Sequence, residues 1–198
     1  MTVPTQSYLS KRRLFLFLFP LLAIVVFQFF TPRSLAFLGA VPPFSMVSVT
    51  AENRSVLTRD NLLGKPWIAD FIFTNCQGPC PILTANMARL ARELPVGINL
   101  VSFSVDPDND TLAVLQSYAK RFGTGSERWY FARGEKRELR DLMLNGFKLS
   151  VAEDFQAITH STKFVLVDAR GNIRGYYDGE SAADLNRIRK DALRLLKE

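Results

Sequence analysis

The sequence predicts an α/β domain, a mixed sheet flanked by helices, with one N-terminal transmembrane helix ahead of it. Three observations carry this. Short apolar runs rich in aromatic and β-branched residues alternate with segments of helical periodicity, the pattern of a sheet wrapped by helices. The chain closes with a hairpin and a final helix. Near its start, a long apolar run follows a basic triplet.

Taken in order, residues 1–13 form a cytoplasmic N-terminus ending in Lys11-Arg12-Arg13. Residues 14–30 (LFLFLFPLLAIVVFQFF) are interrupted only by Pro20 and Gln28 and are about long enough to span a hydrocarbon core. Basic residues before such a run stay on the cytoplasmic side, which places everything beyond Phe30 on the exported side of a cell inner membrane, as a single-pass protein. A cleaved signal peptide is the rival reading, because Ser34-Leu35-Ala36 offers small residues for cleavage. Its apolar core would exceed the usual length, so a retained anchor is favoured. Residues 31–40 read as a linker and 41–198 as one folded domain.

Within that domain, Trp67–Thr74 (WIADFIFT) reads as a buried strand, with Trp67, Phe71 and Phe73 as core. Asn75–Cys80 (NCQGPC) breaks it. Pro81 suits a first helical turn, and Ile82, Ala85, Met87, Leu90 and Leu94 give an apolar stripe, so the two cysteines sit on a strand-to-helix turn. Residues 98–105 (INLVSFSV) form the next strand. A helix over 111–122 follows with Asp110 as its N-cap, then a short strand over 129–131 and a helix over 135–144. Residues 160–167 return to strand, Asp168–Asn172 (DARGN) turns a hairpin onto 173–177, and a helix over 181–197 starts at a capping Ser181.

Charge argues against nucleic acid. The formal net charge is +6, but residues 1–50 hold four basic and no acidic residues. The rest of the chain carries 21 basic against 19 acidic residues, too even a balance for a phosphate-binding stripe.

The chemistry concentrates at Cys76-Gln77-Gly78-Pro79-Cys80-Pro81. A domain of this size needs no staple to fold, which frees the pair for chemistry, although an inert disulfide is the plain alternative in an oxidising compartment. Near a helix start a thiolate is stabilised, so at least one of the two sulfurs is expected to have a lowered pKa, and three intervening residues let both sulfurs face one point. The chain has a single histidine, His160. Two thiolates and one imidazole suit copper, a structural zinc site wants four protein ligands, and an open Cys2His zinc site stays compatible by counting. If the strands after residues 67 and 98 run parallel and that over 162–167 runs antiparallel to them, His160 falls at the edge bearing the cysteine turn. Asp106 falls there too, as an outer-shell residue or as the start of an Asp-Pro turn.

FIFTNCQGPCP, SVDPDNDT at 104–111 and THSTKFVLVDARGNIRGYYDG at 159–179 form an ordered set that resembles the Sco/SenC family over nearly the whole chain from about residue 41. The resemblance implies a thioredoxin-like fold, and copper, as Cu(I) or Cu(II), held by Cys76, Cys80 and His160. It further implies delivery of copper to, or reduction of the thiols of, the binuclear copper centre of cytochrome c oxidase, whose subunit would be the partner. Many members carry proline where this chain has Gln77, a non-ligating position that bears on loop stiffness and partner preference. Cys76 and Cys80 are then redox-active thiols in a protein that is not a conventional enzyme. A membrane-anchored thiol-disulfide reductase without obligatory metal is the main alternative. A peroxidase is weaker, since the TxxC pattern with a partner arginine is absent.

Overall fold

The computed structural model describes residues 34–122, 127–149 and 161–198. Eight strands form one sheet: β1 (Gly39–Ala40), β2 (Ser45–Val49), β3 (Arg54–Thr58), β4 (Trp67–Ile72), β5 (Asn99–Ser104), β6 (Trp129–Arg133), β7 (Lys163–Val167) and β8 (Asn172–Asp178). Their spatial order is β1-β8-β7-β4-β5-β6-β2-β3. The helices are α1 (Arg59–Leu62), α2 (Cys80–Glu93), α3 (Leu112–Phe122), α4 (Lys136–Asp141) and α5 (Ala182–Leu195). The predicted transmembrane segment 14–30 lies outside the described residues, and among the described residues no helix is long and apolar enough to cross a membrane.

Strands β4 and β5 are buried along their whole length because both faces are covered. Ile68, Ile72, Leu100, Phe131 and Phe164 face a core with Leu83, Met87 and Leu90 of α2 and Ile188 of α5. Trp67, Phe71, Val101 and Phe103 face the second core, with Leu57, Leu139 and Phe147. Phe147 reaches its place through a wide π-helical turn after α4 (Leu142–Gly146), in which its N–H donates to Leu142 O at 2.8 Å. It then packs edge-on to Trp67 and Phe71. The aromatics expected in the core are there, Phe73 half-buried between the two clusters.

Strands β4, β5 and β6 run parallel, and β7 runs antiparallel to β4 with Trp67 opposite Val167 and Ala69 opposite Val165. The start of β7 therefore lies at the end of the sheet where β4 runs into the cysteine turn. Gly179, just past β8, locks that end. Its N–H donates to Thr162 O at 2.7 Å and its carbonyl accepts from Asn86 Nδ2 at 2.7 Å. A Cβ at Gly179 would come within 2.5 Å of Leu83 Cδ2 and 3.0 Å of Thr162 O, so only glycine lets α2 and the start of β7 approach this closely.

The β7–β8 hairpin turns as expected at Asp168–Asn172, with Gly171 at φ +83°. Asp168 accepts from the N–H groups of Arg170 and Asn172 at 2.9 Å and pairs with Arg174 at 2.8 Å. Burial alone would raise its pKa, but these donors together hold it below the usual carboxylate value. A bulge after Leu166 makes Arg174 the extra residue of β8. Its guanidinium donates to Ala36 O at 3.2 Å and also to Leu35 O. With β1 pairing to β8, residues 35–40, read as linker, line the edge of the sheet.

Two expectations change. The buried stripe of α2 is Leu83, Met87, Leu90 rather than one beginning at Ile82 and Ala85, both of which are exposed. Asp110 does not cap α3. Thr111 Oγ1 accepts the Val114 N–H at 3.3 Å, while the Asp110 side chain turns inward.

Asp70, in the middle of β4, is 1% exposed, and the Ser102 hydroxyl beside it offsets that burial only in part. Loss of hydration pushes its pKa up to about 7. Because the folded state then holds the proton more tightly than the unfolded chain, stability falls as pH rises from about 4 to 7, by roughly 4 kcal/mol in all. Asp70→Asn is expected to lack that slope and to gain on the parent protein between pH 4 and 8. Urea unfolding at several pH values checks this, and parallel curves for the two proteins would refute it.

Candidate metal and redox site

Strand β4 ends at Ile72 because Asn75, Gly78 and Pro79 cannot continue a sheet, and α2 starts at Cys80 with Pro81 in its first turn. The intervening turn carries Cys76, and α2 carries Cys80 at its first position. Both cysteines are reduced and buried, Cys76 at 8% exposure and Cys80 at 1%. Their side chains lie within hydrogen-bonding reach of each other, and the Phe73 N–H points at the Cys80 sulfur.

The expected lowering of a thiol pKa by the helix end is not what Cys80 shows. Burial pushes its thiol up to about 12, and the Cys76 side chain adds to the rise, while the Phe73 N–H opposes it. Desolvation outweighs the helix end because the charge would form beneath the turn, away from water. Asp70 and Tyr118 lie in the same buried surroundings. Tyr118 is held protonated to about pH 12 by burial and hydrogen-bonds Thr84, one turn after Cys80, at 2.8 Å.

Of the other predicted site residues, His160 lies outside the described residues. The described chain resumes at Ser161, and Thr162, two residues after His160, is bonded to Gly179 against Leu83 of α2. Among the described residues, no group of three His, Cys, Asp or Glu side chains could hold a metal ion. Asp106 stands past the end of β5 and organises a turn. Its Oδ2 accepts from Asn109 Nδ2 at 2.8 Å and its carbonyl accepts from the Asp110 N–H at 2.8 Å.

Two buried carboxylates escaped the sequence reading. Asp70 had a visible signal, an acid inside the apolar run WIADFIFT. Asp110 accepts from Thr74 Oγ1 and Ser104 Oγ, each at 2.5 Å, and from the Thr74 N–H at 3.2 Å. An acid just before a helix reads as a cap, so this second role had no sequence signal.

The donor set fits a soft metal ion: two adjacent thiols, shielded from water, with room in the coordination sphere for one more protein donor. It equally fits a reversible disulfide, since nothing has to move far for the sulfurs to join.

The model of the SCO1/SenC family matches residues 39–196. The SCO1 protein homolog of Bacillus subtilis (strain 168) is 34% identical over 145 residues, covering 70% of this chain and 74% of that one. The solved structure of BsSco, a member of the Sco family of cytochrome c oxidase assembly proteins in which a disulfide switch was identified, superposes with a TM-score of 0.72 at 28% identity. The match covers 84% of this chain and 99% of that one. The same thioredoxin-like fold recurs in Bradyrhizobium japonicum ScoI, solved with copper bound, at 20% identity and a TM-score of 0.62 over 79% of this chain and 99% of that one. With the family model spanning the whole described sheet and the cysteine turn in place, this chain belongs to the SCO1/SenC family.

Proposed function

We propose that this chain is a copper-binding assembly factor for cytochrome c oxidase, carrying copper between Cys76, Cys80 and His160 for delivery to the binuclear copper centre of the enzyme. The observation that carries the reading is the pair of reduced, adjacent thiols at the strand-to-helix turn. The contact of Thr162 with Gly179 against α2 supports His160 as third ligand, because it ties the chain two residues beyond that histidine to the helix that begins at Cys80. Family membership supports copper as cargo. The segment 14–30 holds the domain at the exported face of the inner membrane.

A thiolate, not a thiol, is the metal ligand, so loading requires both cysteines to lose their protons. Cys80 keeps its proton at neutral pH in the metal-free protein, and loading therefore releases it. A two-thiolate, one-imidazole set leaves space for an incoming donor from the recipient, through which the ion can pass by ligand exchange.

The adjacency of the thiols also supports a second reading, a thiol-disulfide reductase. Here Cys76 would attack a partner disulfide to form a mixed disulfide, and Cys80 would then displace the reduced partner, giving up two electrons and two protons in all as the Cys76–Cys80 bond forms.

Copper titration of the purified chain is expected to give one ion per chain with thiolate-to-copper charge-transfer absorption. Cys76→Ser and Cys80→Ser should abolish that band, and His160→Ala should weaken binding at least tenfold. Unchanged affinity in His160→Ala, together with metal-free reduction of a disulfide substrate, would transfer support to the reductase. Alkylation offers an independent check on the reduced, metal-free chain. Iodoacetamide should label Cys76 well before Cys80, because Cys80 is more deeply buried and holds its proton; peptide mass mapping over time reads the order, and simultaneous labelling would contradict it.

A further inference from the structure

The loop that follows β5 folds back on itself. The Asp106 carbonyl accepts from the Asn109 and Asp110 N–H groups at 3.2 and 2.8 Å, which sends the Asp110 side chain under the ends of β4 and β5, where it is 0% exposed. There it meets donors. Thr74 Oγ1 and Ser104 Oγ each approach to 2.5 Å, and the Thr74 N–H lies 3.2 Å from both carboxylate oxygens. Ser104 Oγ in turn accepts from the Asp106 N–H at 3.3 Å. Hydrogen bonds to an ionised carboxylate are shorter and roughly twice as strong as neutral ones, and breaking one partner leaves a buried charge uncompensated.

The placement of these donors is informative. Phe73 and Thr74 lead from the end of β4 into the turn that carries Cys76; the Thr74 N–H is bonded to Asp110, and the Phe73 N–H faces the Cys80 sulfur. Cys80 is rooted in α2, whereas Cys76 stands in irregular chain with only Asn75 between it and Thr74. The carboxylate thus holds the chain two residues before Cys76.

We propose that Asp110 is a positioning residue for the dithiol, its carboxylate acting through Thr74 to hold Cys76 against Cys80 and so to set both the dithiol–disulfide equilibrium and the grip on copper. This rests on the reading of Cys76 and Cys80 as the working thiols. Loosening the tie lowers the effective concentration of one sulfur at the other, which favours the open dithiol over the disulfide and weakens a shared metal.

The test uses the full chain with Asp110→Asn, Thr74→Val, Thr74→Ser and a control, Ser48→Ala. Ser48 is a buried hydroxyl bonded to Ser55 O at 3.3 Å in the β2–β3 hairpin, remote in the sheet order from the cysteine turn. Two quantities are read: the dithiol–disulfide equilibrium of the metal-free protein in dithiothreitol redox buffers, and copper affinity by competition with a chelator. Asp110→Asn and Thr74→Val are expected to shift the first toward the dithiol at least tenfold, about 30 mV for a two-electron couple, and to weaken the second at least tenfold. Thr74→Ser should restore both, and Ser48→Ala should stay within twofold of the parent. Asp110→Asn folded, with a lowered melting temperature but both quantities within twofold, would make Asp110 merely structural and overturn the proposal. Should Asp110→Asn fail to fold, the Thr74 pair decides, and equal behaviour of Val and Ser overturns it. A parent protein that forms no reversible disulfide and binds no copper refutes the reading of the site itself, and the role of Asp110 falls with it; a normal parent with unaffected variants refutes Asp110 alone.

Discussion

Strand β4 is the element on which the rest of the molecule depends. It is paired on one side with β5 and on the other with β7, and both of its faces are covered by core. A strand held on four sides has no freedom to slide, because a slip of one residue would exchange its two faces. What lies at its end inherits that rigidity. The cysteine turn begins there, and so the first sulfur is carried by an irregular segment bounded by the most constrained strand and by the first turn of a helix.

Burial, more than local dipoles, sets the electrostatics around this point. Asp70 and Cys80 both have raised pKa values, and loss of hydration is the leading cause in each. A helix N-terminus favours negative charge by a modest amount near the surface, while removing an ion from water costs considerably more. The result is a compartment that resists accumulating negative charge. The Cys80 thiolate in particular is disfavoured there as long as no positive charge stands beside it.

Much of this was legible in the sequence. WIADFIFT, INLVSFSV and KFVLV read as strands because their apolar runs are continuous, and DARGN and Ser181 marked the hairpin and the final helix. The hairpin of β2 and β3 was not read, because SMVSV and RSVLT mix small, polar and apolar residues and join the sheet through β6, far along the chain. Such pairing is a tertiary fact with no local signature. At the site, the cysteine turn was plain from its Gly and Pro residues, whereas the inward turn of Asp110 depends on two hydroxyls, Thr74 and Ser104, that ordinary reading treats as strand filler. The expected lowering of a thiol pKa failed for Cys80 because sequence shows the helix start but not the depth of cover above it.

The bulge in β8 separates two properties that a regular strand couples. Ile173 and Tyr176, three positions apart, both pack against the same core cluster, and Tyr177 packs against the other. Regular alternation would put Ile173 and Tyr176 on opposite sides, so the supernumerary Arg174 is what reconciles them. Removing that single residue would leave the inward and outward parity of β8 intact, at the expense of the ties to Asp168, Leu35 and Ala36. Position 174 is thus where this hairpin could lose a residue without exchanging its faces, whereas a deletion elsewhere in β8 would swap the inward and outward sides of the residues beyond it.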